Sequence, residues 1–170
     1  MNPSHVDAGR TAWKAAEPAV REMYRRIWET PELGMMETQA ATALTTWLEE
    51  EGFAVERGAC GLPTAFRAVW SNGPGPTLGF MAEYDALPGQ GNRAEPRKAP
   101  DGKRAGHACG HNLIGGTAAG AAIALRHAME TLGLAGTVVV LGTPAEEILW
   151  GKIAMLRGGA FDGIDVLFAN

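Results

Sequence analysis

Two histidines and a cysteine lie within seven residues in the stretch GHACGHN, which runs from Gly106 to Asn112. Cys109 and His111 are two positions apart, and in an extended segment that spacing points both side chains to the same side. A thiolate and an imidazole that converge on one point suit zinc, manganese or another divalent transition ion. Cys109 and His111 are therefore candidate metal ligands.

Two pairs of acidic residues follow apolar runs with the character of strands. Glu83 and Asp85 come after the run TLGFMA, and Glu146 and Glu147 come after the run TVVVLG. Because sites in open α/β sheets form at the carboxyl ends of strands, these carboxylates could complete the shell of a metal held by GHACGHN. Neighbouring glutamates point in different directions, so one could bind metal while the other takes a proton from water during amide hydrolysis.

Each of these features has an alternative explanation. Two acids after a strand are usually a solvated turn, and adjacent glutamates after a proline commonly begin a helix, whose dipole favours them. Cys109 could instead be a nucleophile with His107 or His111 as its base, although two residues of one extended segment seldom reach hydrogen-bond contact. Two cysteines are too few for a disulfide scaffold, and Cys60 supplies no second ligand pair for a zinc finger. The coincidence of three clusters favours the metal site.

The spacing of apolar residues predicts the elements that position these side chains. Two amphipathic helices are predicted, from Val6 to Glu29 and from Glu37 to Glu51, followed by short strands in FAVERG, TAFRAVW and TLGFMAE. Residues 87–106 are rich in Gly and Pro and predict a long surface loop. A buried helix over residues 113–133, the strand GTVVVLGTP, a short helix over residues 150–157 and the strand DVLFAN complete the chain. This order predicts an α/β fold, a three-layer sandwich of helices around a mostly parallel sheet.

Composition places the chain among ordinary globular proteins of one-domain length. Its 170 residues are 46% hydrophobic and 20% charged, and the formal net charge of −4 provides no basic face for nucleic acid. No run reaches the roughly 18 apolar residues that a membrane span needs, and the first thirty residues contain no apolar signal core. We therefore expect a cytoplasmic protein with no nucleic-acid or membrane partner.

Six motifs occur in an order that resembles a known family of hydrolases: PELG, GLPTAF, FMAEYDALPGQG, GHACGHN, GTPAEE and GIDVLFAN. From about Val6 to its last residue the chain resembles the metal-dependent amidohydrolases of the aminoacylase and carboxypeptidase-G-like superfamily of zinc metallopeptidases. The subgroup that it most resembles contains indoleacetyl-amino-acid hydrolases, hippurate hydrolases and one of the subunits of p-aminobenzoyl-glutamate hydrolase. This resemblance implies cleavage of the amide bond of N-acyl or N-aroyl amino acids, p-aminobenzoyl-glutamate-like conjugates or small dipeptides.

The same resemblance implies a role for each candidate residue. Cys109, His111 and Glu147 would bind the metal, which would be zinc or manganese, with up to two ions in a full-length parent. Glu146 would be the general base, and Asp85 would orient the metal-binding histidine. Glu83 stands where other branches of the superfamily have a histidine ligand, and its role is left open.

Members of the superfamily run to well over twice this length. The resemblance therefore implies that residues 1–170 are the N-terminal part of a metallopeptidase-type catalytic domain, without the lid and dimerisation domain and without a C-terminal segment that supplies two further histidines. The full-length parent would form a homodimer or a hetero-oligomer. The alternative is a catalytically inactive fragment or pseudoenzyme that acts only as a binding partner. If part of the catalytic sheet belongs to the missing C-terminal segment, the sheet of residues 1–170 would also have an exposed strand edge.

Overall fold

The structure, a computed structural model, describes residues 2–169. It begins with two helices, α1 (Pro3–Glu29) and α2 (Thr38–Glu50), which confirms both helices that the apolar spacing predicts. The buried side chains of α1 follow the expected helical period and include Val20, Met23 and Ile27. Within residues 2–169, no helix combines the length and the apolar content needed to cross a membrane.

The remaining elements follow the predicted order along the chain. They are β1 (Ala54–Arg57), β2 (Phe66–Ser71), β3 (Thr77–Ala82), β4 (Leu87–Pro88), β5 (Ala105–Gly106), α3 (His111–Leu132), β6 (Thr137–Gly142), α4 (Gly151–Arg157) and β7 (Val166–Phe168). Single 3-10 turns lie at Ala59–Gly61 and at Glu146–Ile148. The long loop predicted over residues 87–106 differs in one respect, because β4 and β5 pair at its two ends and close it into a hairpin-like excursion.

Five strands form one sheet in the order β1, β2, β6, β3, β7. The α/β class is confirmed, and the sheet is mixed, since β3 pairs in parallel with β6 and β7 whereas β2 is antiparallel to both β1 and β6. A parallel connection needs roughly a dozen residues. The link between β2 and β3 spans only residues 72–76, so these strands run in opposite directions. They do not pair with each other, because β6 lies between them. Among the five strands of this sheet, parallel pairing is confined to β3, β6 and β7, which α3 and α4 connect.

Helices cover both faces of this sheet, which makes the arrangement three-layered as expected. Val138 and Val140 of β6 belong to the core shared with α1, α2 and α3. Val139 and Leu141 point to the opposite face, where they pack in one cluster with Met155 of α4. The alternation along a fully buried strand thus contributes side chains to two cores.

Helices α1 and α3 pack closely because glycines of α3 face α1. A Cβ atom on Gly116 would lie 3.3 Å from the backbone nitrogen of Tyr24, and one on Gly120 would overlap the Cγ2 atom of Val20. Small residues at these positions let the two helix backbones approach. This packing holds the first turn of α3, which begins at His111, against the rest of the domain.

The sheet ends at β7, which pairs only with β3 among the strands of residues 2–169. Its side chains Val166, Leu167 and Phe168 are exposed. The exposed strand edge expected from the sequence is therefore present, together with uncovered apolar surface.

Replacing Gly120 with alanine should destabilise the fold. The added methyl group would overlap Val20, and overpacking of a core costs about 1–3 kcal/mol, of which the better helix propensity of alanine returns only about 1 kcal/mol. Gly9 of α1 is the matched control, because a Cβ atom there meets nothing within 4 Å. Gly9→Ala should therefore stabilise the protein slightly. Urea unfolding of both variants checks this, and equal stability of the two would contradict the close packing of α1 and α3.

Candidate metal centre

The segments that carry the candidate residues meet at one end of the sheet. β3 and β6 are parallel neighbours, with Ala82 opposite Gly142, so the chain leaves both strands at the same edge. Glu83 and Asp85 follow β3, and Glu146 and Glu147 form the 3-10 turn after β6. The start of α3 lies against both segments, and the structure thereby brings all three predicted clusters together.

His111 lies at the centre of this arrangement and is 1% exposed. Its Nδ1 atom is 2.8 Å from Asp85 Oδ1 and 3.1 Å from the Asp85 backbone oxygen. A carboxylate and a carbonyl can only accept hydrogen bonds, so Nδ1 is the nitrogen that donates. In the neutral imidazole, Nε2 then presents a lone pair, 3.2 Å from Glu83 Oε2 and 3.7 Å from Glu146 Oε2.

His111 and Asp85 each stabilise the charged form of the other. Burial alone would lower the pKa of His111, but the hydrogen bond and charge of Asp85, together with the charges of Glu83 and Glu147, raise this pKa above its ordinary 6.5. Burial alone would raise the pKa of Asp85, but hydrogen bonds from His111 and from the Glu147 backbone N–H lower it below its usual value. Asp85 is therefore ionised at neutral pH, and a cation that binds His111 Nε2 competes with a proton for that atom.

The possible ligand atoms form two clusters that share His111. Cys109, His111 and Glu147 form the thiolate cluster, and Glu83, His111 and Glu146 form the carboxylate cluster. In each cluster the three donor atoms lie within 4.8 Å of one another. Glu146 and Glu147 belong to different clusters, as expected for neighbouring side chains. The thiolate cluster contains the three residues that the sequence suggested as ligands, and it can hold a divalent ion in the way that zinc sites do.

The extended conformation expected for Cys109 to His111 was wrong. Gly110 has φ 88° and is the N-cap of α3, while His111 is the first residue of that helix. Cys109 therefore lies before a left-handed turn, a conformation that glycine adopts at little cost. The turn and the helix start, rather than the alternation of a strand, bring the thiol and the imidazole to the same point.

One carboxylate oxygen of the thiolate cluster lacks a hydrogen-bond donor in the part of the chain that the structure describes, which leaves it free to bind a cation. Within the described residues, Glu147 Oε1 is buried and has no hydrogen-bond donor. The backbone N–H of the same residue donates to Asp85 Oδ2 at 2.9 Å, which holds the turn in place. Leaving a charged acceptor buried without a partner is costly, and a divalent ion beside Oε1 would satisfy it. The donor set of sulfur, nitrogen and oxygen also suits zinc.

The environment of Cys109 disfavours a role as nucleophile. Cys109 is an exposed residue, but partial desolvation of its thiol and the negative charges of Glu147, Glu146 and Glu83 raise the pKa of that thiol above the ordinary 9.0. The group is therefore protonated at neutral pH and weakly nucleophilic. A cation in the thiolate cluster would reverse this effect, because a coordinating thiol loses its proton.

Comparison with known proteins decides the family. Residues 79–169, which include both acidic pairs, Cys109 and His111, match the model of peptidase family M20/M25/M40. The chain belongs to this family. Its helices and mixed sheet also match an M20 peptidase of known structure, the YXEP protein of Bacillus subtilis, described as a dinuclear metal-binding peptidase. The TM-score is 0.77 at 31% identity, over 91% of this chain and 42% of that chain.

Two relatives of this M20 chain show the range of its sequence neighbours. It is 41% identical to a subunit of the p-aminobenzoyl-glutamate hydrolase of Escherichia coli over 143 residues, which are 82% of this chain and 29% of that protein. It is 43% identical to the Xaa-Arg dipeptidase of Homo sapiens over 159 residues, which are 85% of this chain and 33% of that protein. The chain thus spans about a third of the length of these curated relatives.

Sequence reasoning missed a buried glutamate behind the site of this M20 chain. Glu37 is fully buried, and its Oε1 accepts the backbone N–H of Ala145 at 2.8 Å while its Oε2 accepts the Thr64 hydroxyl at 2.8 Å. Ala145 has φ 57°, which is unusual for a residue other than glycine. Its Cα lies 3.1 Å from the position that a Cβ on Gly34 would take. Glu37 therefore supports the strained turn that presents Glu146 and Glu147, and no local pattern links positions so far apart.

A lysine near the site was also missed. Lys152 Nζ lies 2.5 Å from Glu83 Oε1 and 3.6 Å from Glu146 Oε1. The sequence places Lys152 on a short helix after the second acidic pair, but nothing in its spacing indicates a contact with Glu83, which follows a different strand.

Two substitutions of Glu37 separate its hydrogen bonds from its charge. Glu37→Ala leaves the Ala145 N–H without an acceptor and should lower the free energy of unfolding by about 1–3 kcal/mol. Glu37→Gln keeps an acceptor for Ala145 and should cost far less. Thermal and urea unfolding measure both effects, with the exposed Glu50→Gln as a control. Equal loss in the two Glu37 variants would contradict the role of the carbonyl acceptor.

The burial of Glu37 also predicts that its contribution to the stability of the protein depends on pH. Burial raises the pKa of Glu37 above its ordinary 4.5, so the folded protein binds this proton more tightly than the unfolded chain does. The stability contribution of Glu37 should therefore increase as the pH falls from neutral through the raised pKa toward 4.5. The difference in unfolding free energy between wild type and Glu37→Gln should rise over that interval, and a constant difference would contradict the prediction.

Proposed function

We propose that this chain carries metal ligands and the general base of a divalent-metal-dependent amidohydrolase. Its substrates are N-acyl or N-aroyl amino acids, p-aminobenzoyl-glutamate-like conjugates or small dipeptides. The observation that carries the proposal is the convergence of Cys109, His111 and Glu147, with a buried Glu147 oxygen that lacks a donor among the described residues. Membership of a peptidase family supports the reaction class.

Each residue has a separate task in this proposal. Cys109, His111 and Glu147 hold a zinc or manganese ion, and the chemistry that such an ion supplies is polarisation of the amide carbonyl and acidification of water. Asp85 keeps the His111 ring oriented, with Nδ1 donating and Nε2 directed into the site. Glu146, whose side chain is 30% exposed, takes a proton from the attacking water and returns it to the leaving nitrogen.

The substrate class is supported by what the similar proteins have in common. A component of a p-aminobenzoyl-glutamate hydrolase, an Xaa-Arg dipeptidase and an N-acetylcysteine deacetylase of Bacillus subtilis are among them. The names of all three describe an amide bond between an acyl group or residue and an amino acid. We extend that bond type, but no single substrate, to the present protein.

The proposal includes the organisation of the whole protein. Residues 1–170 are the N-terminal part of a catalytic domain, and a lid and dimerisation domain with further metal ligands belongs to the remainder of a parent that is a homodimer or hetero-oligomer. The support is that the chain spans 29% and 33% of two relatives. We expect the full parent to bind up to two ions and the 170-residue chain alone to be weakly active.

Metal content tests the ligand assignment directly. After dialysis against trace zinc and manganese, the chain should retain close to one ion, whereas Cys109→Ser and Glu147→Gln should each lose most of it because a ligand is removed. Cys60→Ser is the matched control, since Cys60 is a free cysteine outside both clusters. Mass spectrometry of the metal measures the result, and a folded chain without metal would contradict the proposal.

The role of Glu146 predicts a separation of binding from turnover. Glu146→Gln in the full-length protein should keep the ion content but lower the hydrolysis of p-aminobenzoyl-glutamate and N-acyl amino acids by about 100-fold or more, because the proton acceptor is lost. Glu95→Gln, in the surface loop, should change neither quantity. If the wild type hydrolyses none of these substrates at saturating metal, the non-catalytic alternative is favoured.

A further inference from the structure

The carboxylate cluster already contains a cation that belongs to the chain. Lys152 Nζ lies 2.5 Å from Glu83 Oε1 and 3.6 Å from Glu146 Oε1. The side chain of Glu83 is 14% exposed and that of Lys152 is 31% exposed, so this ion pair is partly shielded from water. An ammonium group therefore bridges the two acids that, with His111, would otherwise bind a metal ion.

The backbone fixes Lys152 in this position. Gly151, the first residue of α4, lies against the carbonyl oxygen of Pro144 so closely that a Cβ atom would overlap it. Ala145 and Leu149 both have left-handed backbone angles, with φ 57° and 56°, at either end of the 3-10 turn. This compact connection places the first turn of α4 where Lys152 reaches Glu83, which follows β3.

His111 cannot complete both clusters at once. Its Nδ1 atom donates to Asp85 Oδ1 at 2.8 Å, which leaves one ring nitrogen, Nε2, to bind an ion. The thiolate cluster and the carboxylate cluster each include His111. Its Nε2 lies 3.2 Å from Glu83 Oε2 in the carboxylate cluster, and its Nδ1 lies 3.8 Å from Glu147 Oε1 in the thiolate cluster. The ion can therefore occupy only one cluster at a time. Lys152 contacts the carboxylates of the carboxylate cluster and not Glu147 of the thiolate cluster.

We propose that Lys152 is the built-in cation of the carboxylate cluster and that it directs a divalent ion to the thiolate cluster. The inference rests on the proposed function, because it assumes that the thiolate cluster binds an ion. An ammonium group held between Glu83 and Glu146 repels a second cation there and occupies the carboxylates that would bind it. A site that includes Cys109 favours soft ions such as zinc and cobalt over manganese.

A cobalt titration tests this selection without relying on activity. Mass spectrometry counts the bound ions, and absorption by thiolate-to-cobalt charge transfer reports whether Cys109 is a ligand. Wild type should bind one ion with this absorption, and Cys109→Ser should bind cobalt at least about 100-fold more weakly, because a ligand is lost while Lys152 still blocks the alternative cluster. The double variant Cys109→Ser, Lys152→Met should bind cobalt at least about tenfold more tightly than Cys109→Ser does, because Glu83, His111 and Glu146 become available as ligands.

Two further variants keep the test specific to the charge at this position. Lys152→Arg in the Cys109→Ser background keeps the cation and should recover nothing. Lys103→Met in the same background removes a lysine that contacts the Glu29 backbone oxygen, and it should also recover nothing. Circular dichroism and thermal unfolding establish that each variant is folded, and Lys152→Gln serves as a second neutral variant.

The possible outcomes distinguish this inference from the proposed function. Recovery only in the neutral Lys152 variants supports the selection by Lys152. Equal affinity of Cys109→Ser with and without Lys152 overturns it while leaving the thiolate cluster intact, and so does a wild-type chain that binds two ions tightly. No ion in the wild type or in Lys152→Met overturns the metal centre itself, and with it the proposed function.

Discussion

The buried carboxylate of Asp85 is the interaction on which the rest of the site depends. Its Oδ1 accepts from His111 Nδ1, and its Oδ2 accepts from the backbone N–H of Glu147. A carboxylate that is 1% exposed remains ionised only when such donors compensate for its lost hydration. Because one donor belongs to the start of α3 and the other to the turn after β6, Asp85 joins three elements at the end of β3. The hydrogen bond to Asp85 also sets the orientation of the His111 ring.

Two left-handed turns complete the positioning of the candidate ligands, and they are stabilised in different ways. Gly110 adopts its turn at little cost because it has no Cβ atom, so Cys109 needs no outside support to lie near His111. Ala145 carries the steric cost of a side chain in the same region, and strain of this kind persists only where the surroundings over-determine it. The hydrogen bond from Ala145 to Glu37 is such a constraint, and a buried glutamate far along the chain thus supports Glu146 and Glu147.

The site concentrates negative charge around one histidine. Glu83, Asp85, Glu146 and Glu147 converge within a few ångströms of one histidine. Like charges at this distance repel strongly in a partly buried environment. Asp85 is compensated by its two hydrogen bonds and Glu83 by Lys152, whereas Glu147 Oε1 has no donor among the described residues. The carboxylate oxygen that is left without a hydrogen bond within residues 2–169 lies in the thiolate cluster, with the sulfur of Cys109.

Local patterns in the sequence determined the helices, the strands of the five-stranded sheet and the identity of the acids, Cys109 and His111, because periodicity and short motifs are carried by neighbouring residues. The tertiary structure alone decided which distant segments meet. It placed β6 between β2 and β3, because the short link over residues 72–76 fixes that these two strands run in opposite directions but not which strand each of them pairs with. It also paired Glu37 with Ala145 and Lys152 with Glu83. Such contacts join residues on separate elements, and they leave no trace in local spacing because they arise only when the sheet and its helices have packed.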